Sequence, residues 1–290
     1  MRDVEECIVR AGGVSKFQYI AFTLIVCGMI SGAFILYSIQ YFTHVPPLFC
    51  QKTKGGEYAS CDAKEACDKD KTYHWKIDVD SDENLKNWTS ELDLYCNSSF
   101  EFSLVGSMFF VGTFIGSFVL PRAADIYGRK PLFLVGLTLY IAVVITLFFN
   151  RSLSFLYVLM FLGGVAETGR YYVAYVYCVE MMPQQVQDAT GIYIFTVFGF
   201  VMTYIALQFW FITNDVYVNN YIALSLAVIS WITVFVWLPE SPRFFYGRKQ
   251  FQKSRDIILK MARVNGTDHL FNQNFVFEAE EEDSNGESDS

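Results

Sequence analysis

The sequence predicts an all-α membrane protein with six transmembrane helices, on three observations. Of its 290 residues, 53% are hydrophobic and only 18% are charged, whereas about 25% are charged in a typical soluble domain. The apolar residues are clumped: Phe102–Leu120 and Pro131–Phe149 contain no charged side chain. Each is long enough to cross a hydrocarbon core of about 30 Å. The runs are continuous rather than alternating, which excludes a membrane barrel, and this composition disfavours a soluble enzyme.

Six apolar runs are predicted to cross the membrane as helices, because backbone in lipid has to form its own hydrogen bonds. The predicted spans are Phe17–Thr43, Phe102–Leu120, Pro131–Phe149, Leu153–Met181, Ala189–Ile212 and Tyr217–Leu238. The parts of the chain are an N-terminal segment over residues 1–16, a first span over 17–43, a loop over 44–100, five spans within 101–238, an amphipathic segment over 239–267 and an acidic tail over 268–290.

The distribution of basic residues predicts that both termini are cytoplasmic. Lys and Arg occur in the N-terminal segment, between the second and third spans, and throughout the segment after the sixth span. The short loops on the other side hold only Arg151. The basic side faces the cytoplasm by the positive-inside rule, and the polar N-terminal segment does not resemble a cleaved signal peptide. The net charge of −8 argues against a nucleic-acid partner, so the lipid bilayer is the partner that composition predicts.

The loop over 44–100 is predicted to be a small extracellular domain rich in cysteine. It contains four of the seven cysteines, which are Cys50, Cys61, Cys67 and Cys96. An even cluster of this kind predicts two disulfides with three possible connectivities; a zinc site is the alternative, disfavoured because no His pair accompanies the cysteines. Asn87 and Asn97 begin glycosylation sequons in this loop, whereas the sequon at Asn265 lies on the cytoplasmic side and should stay bare.

The segment after the sixth span is predicted to form an amphipathic helix. Phe251, Ile258 and Met261 alternate with basic residues. Such a helix either lies on the inner membrane face, where anionic lipid attracts Lys and Arg, or is an ordinary soluble helix. The following acidic tail has almost no apolar side chain over Glu278–Ser290 and is predicted to be disordered.

The sequence predicts no enzyme. It contains no nucleophile–base pair, no phosphate-binding loop and no metal motif, and its three histidines, His44, His74 and His269, are scattered. We therefore expect no catalytic residue, no metal and no cofactor.

Polar side chains inside the spans are the candidates for substrate binding, because intramembrane charge is expensive and usually functional. Glu167 and Arg170 lie three residues apart on one face of the fourth span. They form either a self-neutralised pair facing the bundle or polar contacts of a central cavity. The further candidates are Tyr37, Gln40, Tyr41, Tyr171, Tyr204 and Gln208. Aromatic rings suit organic cations, although packing is an alternative role for each.

The loop between the second and third spans carries the most informative motif. A tight turn of about ten residues is predicted over 121–131, in which Gly128 permits a positive φ. Asp125 can cap a helix or form a salt bridge, and Arg129 and Lys130 fix the orientation. A purely topogenic loop is the alternative interpretation.

This loop resembles the signature of the major facilitator superfamily, in which Asp125, Gly128, Arg129 and Lys130 match the pattern. Two further stretches, Glu91–Cys96 and the motif Pro239-Glu240-Ser241-Pro242-Arg243, make the chain similar to the organic cation, anion and carnitine transporters of that superfamily. The resemblance implies a fold of two inverted three-helix repeats, which is half of a major facilitator fold. It also implies transport of small organic ions by alternating access, with a plasma-membrane location.

Several departures from the family limit what the resemblance implies. Pro121 and Ile126 replace the Gly and the first Arg of the signature, and Met160 stands where an Arg is expected in the fourth span. The basic member of the element that starts at Glu180 is lost. Family members have twelve spans, so transport is expected to need a second half, either from a second copy or from a separate chain carrying the C-terminal half. The alternatives are a non-transporting membrane subunit or scaffold, and a truncated gene product.

Overall fold

The computed structural model describes residues 3–68, 70, 72–78, 81, 84–271, 275–281 and 283. Parts of the predicted N-terminal segment (1–2), Cys-rich loop (69, 71, 79–80, 82–83) and acidic tail (272–274, 282, 284–290) lie outside the described residues. The helices are α1 (Val4–Arg10), α2 (Lys16–Phe42), α3 (Ala63–Ala66), α4 (Trp88–Glu91), α5 (Ser99–Tyr127), α6 (Arg129–Phe149), α7 (Leu153–Glu167), α8 (Val173–Glu180), α9 (Gln187–Phe211), α10 (Tyr217–Val236), α11 (Pro242–Gly247) and α12 (Phe251–Asn265).

Five of these helical stretches are long and apolar enough to cross a membrane. They are Lys16–Phe42, Ser99–Tyr127, Arg129–Phe149, Gln184–Phe211 and Tyr217–Val236. The predicted fourth span instead consists of α7, a π-helical turn over Thr168–Tyr172 and α8. Both residues that flank the π turn have α-helical φ and ψ angles, so one helical path continues through it.

The loop predicted over 121–131 is wrong in its length. Helix α5 continues through Pro121 to Tyr127, and α6 begins at Arg129. A proline removes only one backbone donor, and here it does not end the helix. The chain turns at Gly128 alone, which has a φ of 110°, a conformation that an L-residue with a side chain rarely adopts.

The long helices form one bundle around α2 and α7. Helix α2 packs against α10 and α9, and α7 packs against α5 and α6. Helix α6 also packs against α10. As a result α5 and α9 are the least buried of the candidate spans, and they present rows of exposed aromatic and aliphatic side chains.

The Cys-rich region folds as a small sheet at one end of the bundle, which we term the Cys-rich side. The strands are β1 (Leu48–Gln51), β2 (Ala59–Cys61) and β3 (His74–Ile77), all antiparallel in the order β2-β1-β3. The four cysteines form the disulfides Cys50–Cys61 and Cys67–Cys96. Disulfides are therefore confirmed over the zinc alternative.

The structure argues against a glycan on Asn87. Its side chain is only 1% exposed, and its amide donates to the carbonyls of Tyr41 (2.8 Å) and His44 (2.9 Å). The same side chain accepts from Ser90 N at 3.1 Å as the N-cap of α4. A glycan on this nitrogen has no room, because both donor positions are in use. Asn97 is only partly buried.

Helices α1, α11 and α12 lie at the other end of the bundle, the terminal side. The apolar face of α12 is buried in the protein, with Ile258 and Met261 both inaccessible. Helix α12 packs against α1, α2 and α11, so this face is not available to lipid. Its last residue, Asn265, accepts from Phe17 N (2.8 Å) and donates to Ala11 O (2.7 Å). The side chain of Asn265 thereby caps the first turn of α2.

The predicted disorder of the acidic tail is wrong for its described part. Phe275 and Phe277 are buried, and the ring of Phe277 lies 5.2 Å from that of Tyr246. Glu280 forms an ion pair with Arg255 at 2.6 Å. Aromatic burial and this ion pair supply the contacts that the acidic composition alone does not predict.

Candidate functional site

Aromatic residues of α2, α9 and the π turn lie together on one face of the bundle. The ring of Tyr41 stacks on Phe209 at 4.1 Å, and Tyr171 lies 5.0 Å from Phe198. Tyr37, Tyr41 and Tyr171 are partly buried against the apolar core. We term the candidates on this face the tyrosine face; its members are Tyr37, Tyr41, Tyr171 and Tyr204.

The two predicted amide candidates differ in their surroundings. Gln208 is fully buried on α9, and neither its Oε1 nor its Nε2 has a hydrogen-bond partner among the described residues. Gln40 is exposed near the Cys-rich end of α2. Tyr204 is 37% exposed, with its ring 5.9 Å from that of Phe34 on α2. The amide of Gln208 therefore has unused hydrogen-bonding groups but no exposed surface in this conformation.

Glu167 and Arg170 form an ion pair with each other, as their spacing predicts, but they do not join the tyrosine face. The guanidinium of Arg170 is fully buried, donates to the carbonyls of Gly28 (2.9 Å) and Met29 on α2, and lies 4.5 Å from the ring of Tyr140 on α6. In this conformation a ligand has no access to Arg170. Through Arg170 the pair joins the π turn to the backbone of α2.

The π turn contains both Arg170, a member of the buried ion pair, and Tyr171, a member of the tyrosine face. Each α-helical residue advances the helix by about 100°, so a wider turn changes the direction of every side chain after it. Arg170 points into the bundle, whereas the neighbouring Tyr171 contacts Phe198 of α9. Such turns occur often at functional sites.

Two buried asparagines near the start of α10 were not among the predicted candidates. Asn219 donates to Ser38 Oγ of α2 at 2.8 Å. Asn220 is also fully buried, and its amide has no partner among the described residues. The adjacent Asn pair at the start of an apolar span was the available sequence signal.

On the terminal side, Arg129 is the centre of an ionic network. Its guanidinium binds Glu180 at the end of α8 (3.1 Å) and Asp125 one turn earlier (2.9 Å). The same group lies 5.1 Å from the ring of Phe244. The structure thus brings the signature loop, the end of α8 and the segment after α10 together.

Glu240 of the motif after α10 accepts hydrogen bonds from three backbone N–H groups. They belong to Arg129 (3.1 Å), Lys130 (3.1 Å) and Ser241 (2.9 Å). Burial raises the pKa of the Glu240 carboxyl, although these three donors act in the opposite direction. The side chain of Lys130 donates to Leu238 O at 2.6 Å. Both residues therefore join the start of α6 to the end of α10.

Other members of the same motif bind neighbouring segments. Arg243 forms an ion pair with Glu5 of α1 and donates to Met182 O at 3.0 Å. Glu5 in turn accepts from Gln184 N at 2.6 Å. The carbonyl of Pro239 accepts from the hydroxyl of Tyr177. These contacts join α1, α8 and the connection after it, and the segment after α10.

The sequence pattern of the sugar (and other) transporter family matches residues 19–288 of the chain. The chain belongs to this family. Three relatives are organic cation/carnitine transporter 2 of Homo sapiens, organic cation transporter 1 of Caenorhabditis elegans and solute carrier family 22 member 3 of Mus musculus. The chain is 27% identical to the human protein over 63% of its own length and 32% of that protein. It is 23% identical to the worm protein over 92% and 51% of the two lengths, and 28% identical to the mouse protein over 68% and 35%.

These relatives confirm the resemblance to organic cation and carnitine transporters that the motifs carry. The sugar (and other) transporter family is a family of transporters, not of enzymes, and the chain is a multi-pass membrane protein. It spans about a third to about a half of the length of these relatives.

Proposed function

We propose that the chain forms one half of a transporter for small organic ions, which binds its substrate on the tyrosine face. The facing half comes from a second copy or from another stretch of chain, and substrate passes between the halves by alternating access. The observation that carries this proposal is the grouping of four tyrosines on α2, α9 and the π turn. Ring faces attract organic cations.

The packing of the helices supports two inverted three-helix repeats. The first repeat is α2, α5 and α6, and the second is the path through α7 and α8 together with α9 and α10. The main contacts between the two repeats have counterparts when the repeats are exchanged: the contact of α2 with α9 corresponds to that of α7 with α5, and the contact of α2 with α10 to that of α7 with α6. The contact between α6 and α10 is its own counterpart. This reciprocity is expected of repeats related by a two-fold axis, with substrate bound near the midplane.

The orientation that we propose places the termini in the cytoplasm and the Cys-rich domain outside a plasma membrane. The two disulfides support an extracellular position for that domain. The contacts of Asn265 with Ala11 keep the two described ends of the chain on one side. Protease protection of the disulfide-bonded fragment in sealed right-side-out vesicles would contradict this orientation.

Ligand binding and uptake test the proposal. We expect radiolabelled tetraethylammonium or carnitine to bind the purified chain, and Tyr171→Ala to weaken binding about 30-fold, because a desolvated cation–π contact is worth about 2 kcal/mol. Tyr193→Ala is the matched control, since Tyr193 is an exposed ring of α9 outside the tyrosine face. Uptake into proteoliposomes that also contain a facing half should fall in parallel.

Two outcomes would contradict the proposal. Equal losses of ligand affinity in Tyr171→Ala and Tyr193→Ala would show that the tyrosine face does not bind the substrate. Absence of ligand binding, together with co-purification in a larger assembly, would instead favour a non-transporting subunit or scaffold.

A further inference from the structure

A second cavity opens on the Cys-rich side between α6 and α10 and shares no residue with the tyrosine face. It encloses about 500 Å³, a volume in the usual range of ligand sites. Its lining residues come from the end of α6, the start of α10, the segment around α4 and the two short connections on that side.

The rim of this cavity carries two pairs of opposite charge. Arg151 lies 3.1 Å from Glu91, and Lys86 lies 3.4 Å from Asp215. The side chains of the two cations are 68% and 61% exposed, so an anionic group can reach them. Exposed pairs of this kind contribute little to stability. A ligand that carries both charges can therefore take the place of either partner at little cost in free energy.

Aromatic rings lie directly beside these charges. The hydroxyl of Tyr217 donates to Glu91 at 2.8 Å, while its ring lies 5.6 Å from the ammonium of Lys86. Tyr221 stacks on Phe148 at 4.8 Å and is 60% exposed. A ring face next to a carboxylate suits an alkylated ammonium group, because the ring and the carboxylate both attract the positive charge.

The floor of the cavity is apolar and extends along the helices towards the middle of the bundle. Ile145 lies one turn below Phe149, and Leu224 lies two turns below Tyr217, so the floor reaches about 10 Å below the rim. Phe149 is 77% exposed on this surface. In a membrane-spanning protein such a surface faces acyl chains.

We propose that this cavity binds a zwitterionic glycerophospholipid from the leaflet on the Cys-rich side. Arg151 and Lys86 hold its phosphate, Glu91 and the ring of Tyr221 hold its ammonium group, and an acyl chain lies along Ile145 and Leu224. An anionic lipid fits less well, because it has no positive charge to offer to Glu91 and Asp215. A soluble organic cation leaves the apolar floor uncovered. Lipid binding at this cavity does not depend on the proposed transport.

Native mass spectrometry of the delipidated full chain tests the proposal with two lipids of identical acyl chains. We expect dioleoylphosphatidylcholine to be retained in preference to dioleoylphosphatidylglycerol. The double variant Lys86→Gln, Arg151→Gln should weaken phosphatidylcholine binding by at least about tenfold, because hydrogen bonds to a charged group are lost. Arg122→Gln, an exposed Arg on the terminal side, is the matched control and should bind normally.

Two further variants separate binding from folding. Arg151→Lys keeps the positive charge and should retain the lipid. Phe149→Ala should weaken retention of the lipid by removing part of the apolar floor, whereas Phe195→Ala, which removes another exposed ring on α9, should not. Equal retention of the two lipids, equal losses in a variant and its control, or displacement of phosphatidylcholine by tetraethylammonium would each overturn the proposal.

Discussion

At Glu240 one carboxylate accepts hydrogen bonds from the backbone N–H groups of Arg129, Lys130 and Ser241. Glu240→Ala leaves all three donors without this acceptor. We expect the free energy of unfolding to fall by about 1–3 kcal/mol, the usual penalty for unsatisfied buried donors. Thermal unfolding in mild detergent measures the change. Asp125→Ala, which removes only an exposed carboxylate, should have a much smaller effect; equal effects would contradict the role assigned to Glu240.

The raised pKa of Glu240 also makes a prediction about pH. Because the folded protein holds the proton more tightly than the unfolded chain does, protonation of Glu240 favours folding. This contribution is fully present below the unfolded pKa, near 4.5, and is lost as the pH rises through the folded pKa. Glu240→Gln cannot titrate, so its melting temperature should depend less on pH than that of the wild type across this window. Parallel pH profiles would count against the prediction.

Cys7 is predicted to be unreactive. Its thiol is inaccessible, and burial is the largest cause that raises its pKa to about 11. Because the thiolate is the reactive form, maleimide should not modify Cys7 in the folded chain at neutral pH and should modify it after denaturation. Mass spectrometry of the peptide that contains Cys7 measures the extent of this modification. Rapid native labelling would show that α1 is not packed as described.

At the scale of helices, the contact between α5 and α7 depends on a close approach of two backbones. A Cβ atom on Gly164 would collide with the carbonyl oxygen of Phe109, whereas one on Gly163 would meet only ordinary contacts, at 3.8 Å or more. We therefore expect Gly164→Ala to destabilise the protein by about 1–3 kcal/mol, the usual penalty of overpacking. Gly163→Ala should be neutral or slightly stabilising. Comparable melting temperatures for the two variants would contradict the predicted helix contact.

Hydropathy located the long helices well because the preference of an apolar run for lipid does not depend on its neighbours. The predicted first span, Phe17–Thr43, differs from α2 by one residue at each end. The end of α5 was misplaced because Pro121 and the charges after it resemble a loop. The π turn was not predictable, since widening one turn leaves the composition of the span unchanged.

The candidate site was predictable only where its partners are close in sequence. The pairing of Glu167 with Arg170 follows from a spacing of three residues. The ion pair between Arg243 and Glu5 joins residues that are 238 apart, and no local pattern encodes it. Tyr171 and Gln208 are predicted by residue type, but the separation of Arg170 from the tyrosines depends on the packing of the π turn on α2.

At the scale of the whole molecule, the fold predicts how many glycans an extracellular Cys-rich domain carries. Asn87 is buried and Asn97 is not, so we expect one glycan where the sequons allow two. Glycosidase treatment should shift the mass of the wild-type chain by one glycan, and Asn97→Gln should abolish the shift. A glycosidase-sensitive band in that variant would show that Asn87 is modified before the domain folds.

Asn265 ends α12 and caps α2 with the same side chain. A tilt of α2, the first transmembrane helix, should therefore move the amphipathic helix α12 with it. A spectroscopic reporter attached to the exposed surface of α12 would register rocking of the membrane bundle from the aqueous phase, at a distance from any substrate.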